Sequence, residues 1–245
     1  VCSSDLLVTR HRALVTEEGG AVVAFGAVID AGIAVQLADL FVLPDRLGRG
    51  LGRPLLAELF ADAPRRTTFA SDDPRALPVY VRAGMTPLWP SLYLQGDGTR
   101  LDGPAGLEVE AAGPEALAAL ERDWTGADRL DDHRFWASQA DGDPFLVIDR
   151  DGPVALGIGR ARQATDVRII DRMLVRPAAD PVPPVLAALR RSDHGTRVVV
   201  PVPGPSPVLP VLLDHGFHVI DRDVFMASDP GLVDPVRFLP NPGML

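Results

Sequence analysis

A chain of 245 residues with 47% hydrophobic and 23% charged residues is long enough for one large domain or two compact ones. No stretch approaches the roughly 18 uninterrupted apolar residues of a membrane span. The 33 acidic against 24 basic residues, a formal net charge of −9, argue against nucleic acid or a membrane surface as the main partner. The single cysteine, Cys2, excludes an internal disulfide framework and a cysteine-based zinc site. Every basic residue is arginine, a composition expected of a GC-rich genome. The opening Val1–Leu6 reads as the translated end of a sequencing adapter, which implies a native start further upstream, and the cytoplasm is the default compartment.

In chain order, Arg12–Glu17 and Ala21–Asp30 are β-branched and apolar runs joined across Glu18-Gly19-Gly20, the pattern of a hairpin. Ile33–Val42 is the next strand and stops at Pro44. Apolar residues at 51, 55, 56, 59 and 60 predict a helix over Leu51–Ala63, closed by Pro64. Thr67–Ala70 is a short buried strand. Asp73-Pro74 opens a helix that runs to a glycine cap at Gly84, with Pro78 either in its first turn or kinking it, and Ser91–Gln95 is a further strand. Leu107–Ala111 is a strand, and Gly113-Pro114 starts a helix whose Leu117, Leu120 and Trp124 share a face. His133–Ala140 is a second short helix. Phe145–Asp149 and Val154–Ala161 form a hairpin across Asp151-Gly152, Val167–Val175 is a long central strand, and Val236–Leu245 is an extended arm.

The halves repeat. Leu77-Pro78-Val79-Tyr80 through Gly84-Met85 lies over Leu209-Pro210-Val211-Leu212 through Gly216-Phe217 at a spacing of 132, and Leu40–Pro44 over Met173–Pro177 at 133. The chain is expected to divide into the adapter-like 1–6, a first copy 7–97, a linker 98–106 of Gly/Asp/Pro-rich composition, a second copy 107–230 and the arm 231–245. The second copy opens on a strand and two helices with no counterpart in the first, so the first copy is expected to be truncated.

The segment Pro44–Arg53 carries Gly48, Gly50 and Gly52 between a strand and an amphipathic helix. Glycines there let amides wrap a phosphate at a helix N-terminus, or simply satisfy a tight turn. The spacing fits neither a dinucleotide fingerprint nor a P-loop. The five histidines have no metal-ligand spacing, and Ser138 and Ser206 lack the context of a hydrolase nucleophile. Gly157-Ile158-Gly159 inside a hairpin marks a bulge or close packing.

The strand ending Leu40-Phe41-Val42-Leu43-Pro44, the loop Leu47-Gly48-Arg49-Gly50-Leu51-Gly52, then Asp73, Ala76, Val79-Tyr80 and Gly84-Met85 resemble the GNAT acetyltransferase superfamily over Arg12–Gly96, and more weakly over Leu107–Ser228. The family has Gln or Arg where Leu47 stands and usually Asn at Asp73. The resemblance implies an α/β fold, two mixed sheets flanked by helices, and an N-acetyltransferase that uses acetyl-CoA as co-substrate, without a metal, on a primary amine of a small molecule or peptide. It implies backbone pairing of Phe41, Val42 and Leu43 with the pantetheine arm and a pyrophosphate held by Leu47, Gly48, Arg49, Gly50, Leu51 and Gly52, with charge from Arg49 and Arg53 and a contact from Asp73. An amide near Phe41 would stabilise the oxyanion. It also implies that Tyr80 protonates the leaving sulfur, a position that a core tyrosine would equally fill. Asp39 is the candidate base, against the alternative of a solvated carboxylate. The second copy has Pro181, Pro183 and Pro184 in place of the glycines and Leu212 in place of Tyr80, and is expected to be degenerate. A protein that binds acyl-CoA or a partner without turnover is the alternative reading.

Overall fold

A computed structural model describes residues 11–162, 166–191 and 196–244; the adapter-like opening and His194 lie outside them. The described residues form two compact units, 11–88 with 223–232 and 89–222 with 233–244.

The first unit is built on β1 (Arg12–Glu18), β2 (Ala21–Asp30) and β3 (Val35–Val42), an antiparallel meander, followed by β4 (Arg66–Ala70), parallel to β3. Its helices are α1 (Gly52–Leu59) and α2 (Ala76–Arg82). β2 has the limits its sequence predicts. β3 starts two residues later than expected, because Gly32 at φ +75° turns the chain so that the Ala31 amide bonds back to the Ala34 carbonyl. α1 ends at Leu59 rather than Ala63: the Arg66 guanidinium takes the Phe60 and Ala63 carbonyls and so holds the chain in a turn. Leu55, Leu56 and Leu59 of α1 are buried and share one core with Val28, Leu37, Tyr80, Met85 and Met226. Burial of side chains of this size contributes about 1.5–3 kcal/mol each.

β5 (Thr86–Asp97) and β11 (His218–Ala227) cross from one compact unit to the other. In the first unit β4 is paired antiparallel by Val224–Ala227, from the end of the second copy. In the second unit β10 (Arg197–Pro203) is paired by Ser91–Asp97, from the end of the first. Each repeat therefore gives its closing strand to the unit built mainly by the other. The stretch 98–106, expected as a linker, begins as a structured turn: Asp97 accepts from the Thr99 amide, the Gly98 amide bonds to Thr196 and Leu101 is buried in the second core.

The second unit continues with β6 (Glu108–Ala111), α3 (Pro114–Thr125), α4 (Leu130–Ser138), β7 (Gly142–Asp149), β8 (Gly152–Arg162), β9 (Val167–Val175), α5 (Val182–Arg190), α6 (Val208–Asp214) and β12 (Phe238–Leu239). Its strand order is β5-β10-β9-β8-β7-β6, with β12 also on β9. β10 is parallel to β9 and the other pairs are antiparallel. No helix of the described residues is long and apolar enough to cross a membrane.

The repeat is visible in backbone detail. Pairing of β2 with β3 skips Ala38, and pairing of β8 with β9 skips Asp171, so both copies carry one bulge at one equivalent place. α2 and α6 end alike. Gly84 and Gly216 have φ near +85°, and the Met85 and Phe217 amides reach back to the carbonyls of Tyr80 and Leu212, the double closure of a Schellman cap. Gly157 has the close-packing role its place in a hairpin predicts: a Cβ there would lie 2.3 Å from the ring of buried Phe145. Gly157→Ala is expected to cost about 1–3 kcal/mol by overpacking, read as a lower urea midpoint with unchanged slope.

Candidate active site

The site in the first unit starts from the bulge. Beyond Ala38, β3 keeps its pairing with β2, but its pairing with β4 covers only Val35–Leu37 against Arg66–Thr68. From Asp39 onward the two parallel strands splay, leaving the β4-facing edge of β3 without a strand partner. The Leu43 amide bonds to the Val23 carbonyl at 2.9 Å. Antiparallel alternation then turns Phe41 toward Phe25 and turns the backbone groups of Leu40 and Val42 into the gap. Of the three residues expected to pair with a ligand, Val42 presents its backbone there, whereas Phe41 and Leu43 are engaged with β2. Leu40, not singled out from the sequence, is the second residue presented. The alternation set by a turn and a bulge is the missing signal.

A cleft of about 1320 Å³ continues from this gap along the loop to α2. Gly48 and Gly50 both sit at φ +79° with open space around them. The amides of Gly48, Gly50, Leu51 and Gly52 have no protein acceptor among the described residues, and Gly52 opens α1. Unsatisfied donors at a helix start form a pocket of positive potential. Leu47, Gly48, Gly50, Leu51, Gly52, Arg53 and Asp73 all line the cleft, as do Phe41, Val42 and Tyr80. Asp39, Leu43 and Arg49 are not among the lining residues, and the Arg49 amide is bonded to Arg46.

Charge in the cleft opposes the charge of the whole chain. Arg46, Arg53, Arg66, Arg75 and Arg82 line it, and Asp73 is the one acidic residue among the described lining. Arg46 is paired with Glu18 at 3.0 Å and with Asp45. Arg66 bonds the carbonyls of Ala63 and Ala83 at 2.6 and 3.0 Å and is structural. Arg75 holds Asp73 at 2.6 Å, and its side-chain and backbone hydrogen bonds lower that carboxyl to about 2. Asp73 is therefore an ionised acceptor already committed to Arg75. Arg53 has no ion-pair partner among the described residues.

Tyr80 is held by the cap of α2 and by contacts in the unit's core, and is 8% exposed. Burial, with smaller contributions from Asp223 and Asp73, pushes its hydroxyl up to about 12, so it remains protonated and able to donate. Asp39 is opposite Ala27 on β3, next to Leu40, and burial raises its carboxyl. In the second unit the glycine loop has no counterpart: Pro181, Pro183 and Pro184 have no amide hydrogen, and the Val182 amide is bonded to Asp180 at 3.0 Å.

Residues 4–85 match the profile described as the acetyltransferase (GNAT) family. No curated protein matches the sequence. Among solved structures, a Pyrococcus horikoshii protein described as an acetyltransferase aligns over 99% of this chain and 84% of its own, with TM-score 0.74 and 10% identity. A GCN5-related N-acetyltransferase from Anabaena variabilis aligns over 91% of this chain and 65% of its own, with TM-score 0.64 and 15% identity. A tandem GNAT protein from the clavulanic acid biosynthesis pathway aligns over 91% and 83%, with TM-score 0.54 and 18% identity. At these identities the similarity to solved structures is one of fold, and that fold is the GNAT fold.

Proposed function

We propose, from the match of residues 4–85 to the GNAT acetyltransferase family profile, that the first unit transfers an acetyl group from acetyl-CoA to a primary amine of a small molecule or peptide in the cytoplasm. The observation that carries this reading is the open β3 edge running into a loop with four amides that have no protein acceptor among the described residues, inside an arginine-lined cleft of an acidic protein. Acetyl-CoA supplies the activated acyl group. Leu40 and Val42 offer backbone groups to an extended arm, and their amides are positioned to polarise a carbonyl. Gly48, Gly50, Leu51 and Gly52 bind phosphate oxygens, and Arg53 adds charge. The amine nitrogen forms a bond to the acyl carbon as the carbon–sulfur bond breaks. Asp39 takes the amine proton through water, and Tyr80 donates a proton to the departing thiolate and recovers one from solvent.

A titration of acetyl-CoA monitored by calorimetry tests the reading. The intact chain is expected to bind one equivalent. Gly50→Pro should weaken binding by about tenfold or more, since proline fixes φ near −65° and removes an amide donor. No binding by folded protein would overturn the proposal. A second reading, acyl-CoA binding without turnover, is favoured by one observation: Asp39, the candidate base, is outside the lining residues. Binding without acetylation of any amine in a broad panel would select it.

A further inference from the structure

Within the second unit β9 is paired with β8 along its length but with β10 only through Val167–Ile169. Past the bulge at Asp171 it has the same free edge as β3. Met173 and Val175 stand 133 residues after Leu40 and Val42. Their backbone directions agree too: the Arg176 amide returns to Val154 of β8 at 2.8 Å, and the Val175 amide points the other way. In the first unit that edge opens into the cleft. Here it is taken by the chain itself. Val175 donates to the Arg237 carbonyl at 2.9 Å, and Phe238 and Leu239 lie antiparallel to Leu174 and Met173. The Phe238 ring is 4.8 Å from the guanidinium of buried Arg172, which stands in the place of Asp39, and Leu239 is fully buried in the unit's main core.

We infer that the C-terminal arm around Phe238-Leu239 is a built-in occupant of the second unit's strand gap, using the backbone groups that in the first unit are open to ligand. Naming acyl-CoA as the excluded ligand rests on the proposed function; the occupation of the gap does not. The arm supplies a strand where splaying would leave buried amides unpaired. The proline-filled loop means that displacing the arm leaves no phosphate site behind it. The second unit is thus a closed scaffold, and the chain takes one acyl-CoA.

Hydrogen exchange on the intact chain and on a Phe238→Asp, Leu239→Asp double variant reads the arm directly. In the intact chain the Val175 amide should exchange as slowly as that of Val200 in the core. In the variant it should exchange about 100-fold faster or more, while the Arg176 amide on the β8 side keeps its protection. A Leu239→Ala chain gives the same comparison if the double variant unfolds. Fast exchange of Val175 in the intact chain, or equal rates in intact and folded variant chains, would overturn the inference. Two equivalents of acetyl-CoA bound by the intact chain would also overturn it. No binding at all, with the exchange pattern as expected, would sink only the acetyltransferase reading.

Discussion

Replacing Tyr80 by phenylalanine is expected to lower kcat by about 10²- to 10⁴-fold, the usual range for loss of a positioned proton donor, with little change in acetyl-CoA affinity. The ring is part of the core that α2 closes, and phenylalanine preserves that packing. A donor thioester with a more acidic thiol should recover part of the lost rate in the variant, because a stable thiolate departs without a proton. Since the Tyr80 hydroxyl is pushed up to about 12, it should contribute no alkaline limb to the activity profile near neutral pH. An unchanged kcat in Tyr80→Phe would reduce Tyr80 to a core tyrosine, the role it shares by position with Leu212.

The equivalence of Tyr80 and Leu212 is legible in the sequence because a repeat aligns its own positions. Local signals carried far. The limits of β2 and β9, Gly84 as a helix cap and the glycine loop before α1 depend on neighbours within a few residues. The partner of a strand is not a local property. β5 alternates in the same way whichever sheet it joins, so the exchange of β5 and β11 between compact units left no mark in the pattern. The side of β3 that opens into the cleft was hidden for the same reason, since it depends on the Leu43–Val23 bond and the bulge rather than on side-chain type. α3 illustrates a third limit. Leu117, Leu120 and Trp124 predict one apolar face, but the buried set is Leu117, Ala118 and Glu121, with Leu120 and Trp124 half-buried. The helix turns a carboxylate inward because β9 brings an arginine to meet it, a long-range pairing that hydrophobic periodicity cannot express.

That pairing governs the second largest expected effect. Glu121 receives two hydrogen bonds from Arg172, at 2.5 and 3.1 Å, and lies 2.7 Å from Nε2 of His133, all three side chains being at most 2% exposed. Burial acts to raise the Glu121 carboxyl, but Arg172, the His133 hydrogen bond and Arg129 outweigh it and hold the group well below the usual carboxylate range. Burial lowers His133 against the opposing pull of Glu121, so the folded unit favours the neutral ring. Both groups thus bind protons more weakly folded than unfolded. Their stabilisation is present above the unfolded values, about 6.5 for histidine and 4.3 for glutamate, and is lost as pH falls through each in turn. Glu121→Gln leaves the Arg172 charge buried without its counter-ion and is expected to destabilise the unit by about 3–5 kcal/mol at neutral pH, measured by urea unfolding. The carboxylate share of the acid limb should vanish with it. Replacing Glu121 and Arg172 together by methionine should recover most of the loss, because no charge is then stranded. A cost below about 1 kcal/mol for Glu121→Gln would mean that water reaches Arg172, and the closed interior of the second unit would have to be abandoned.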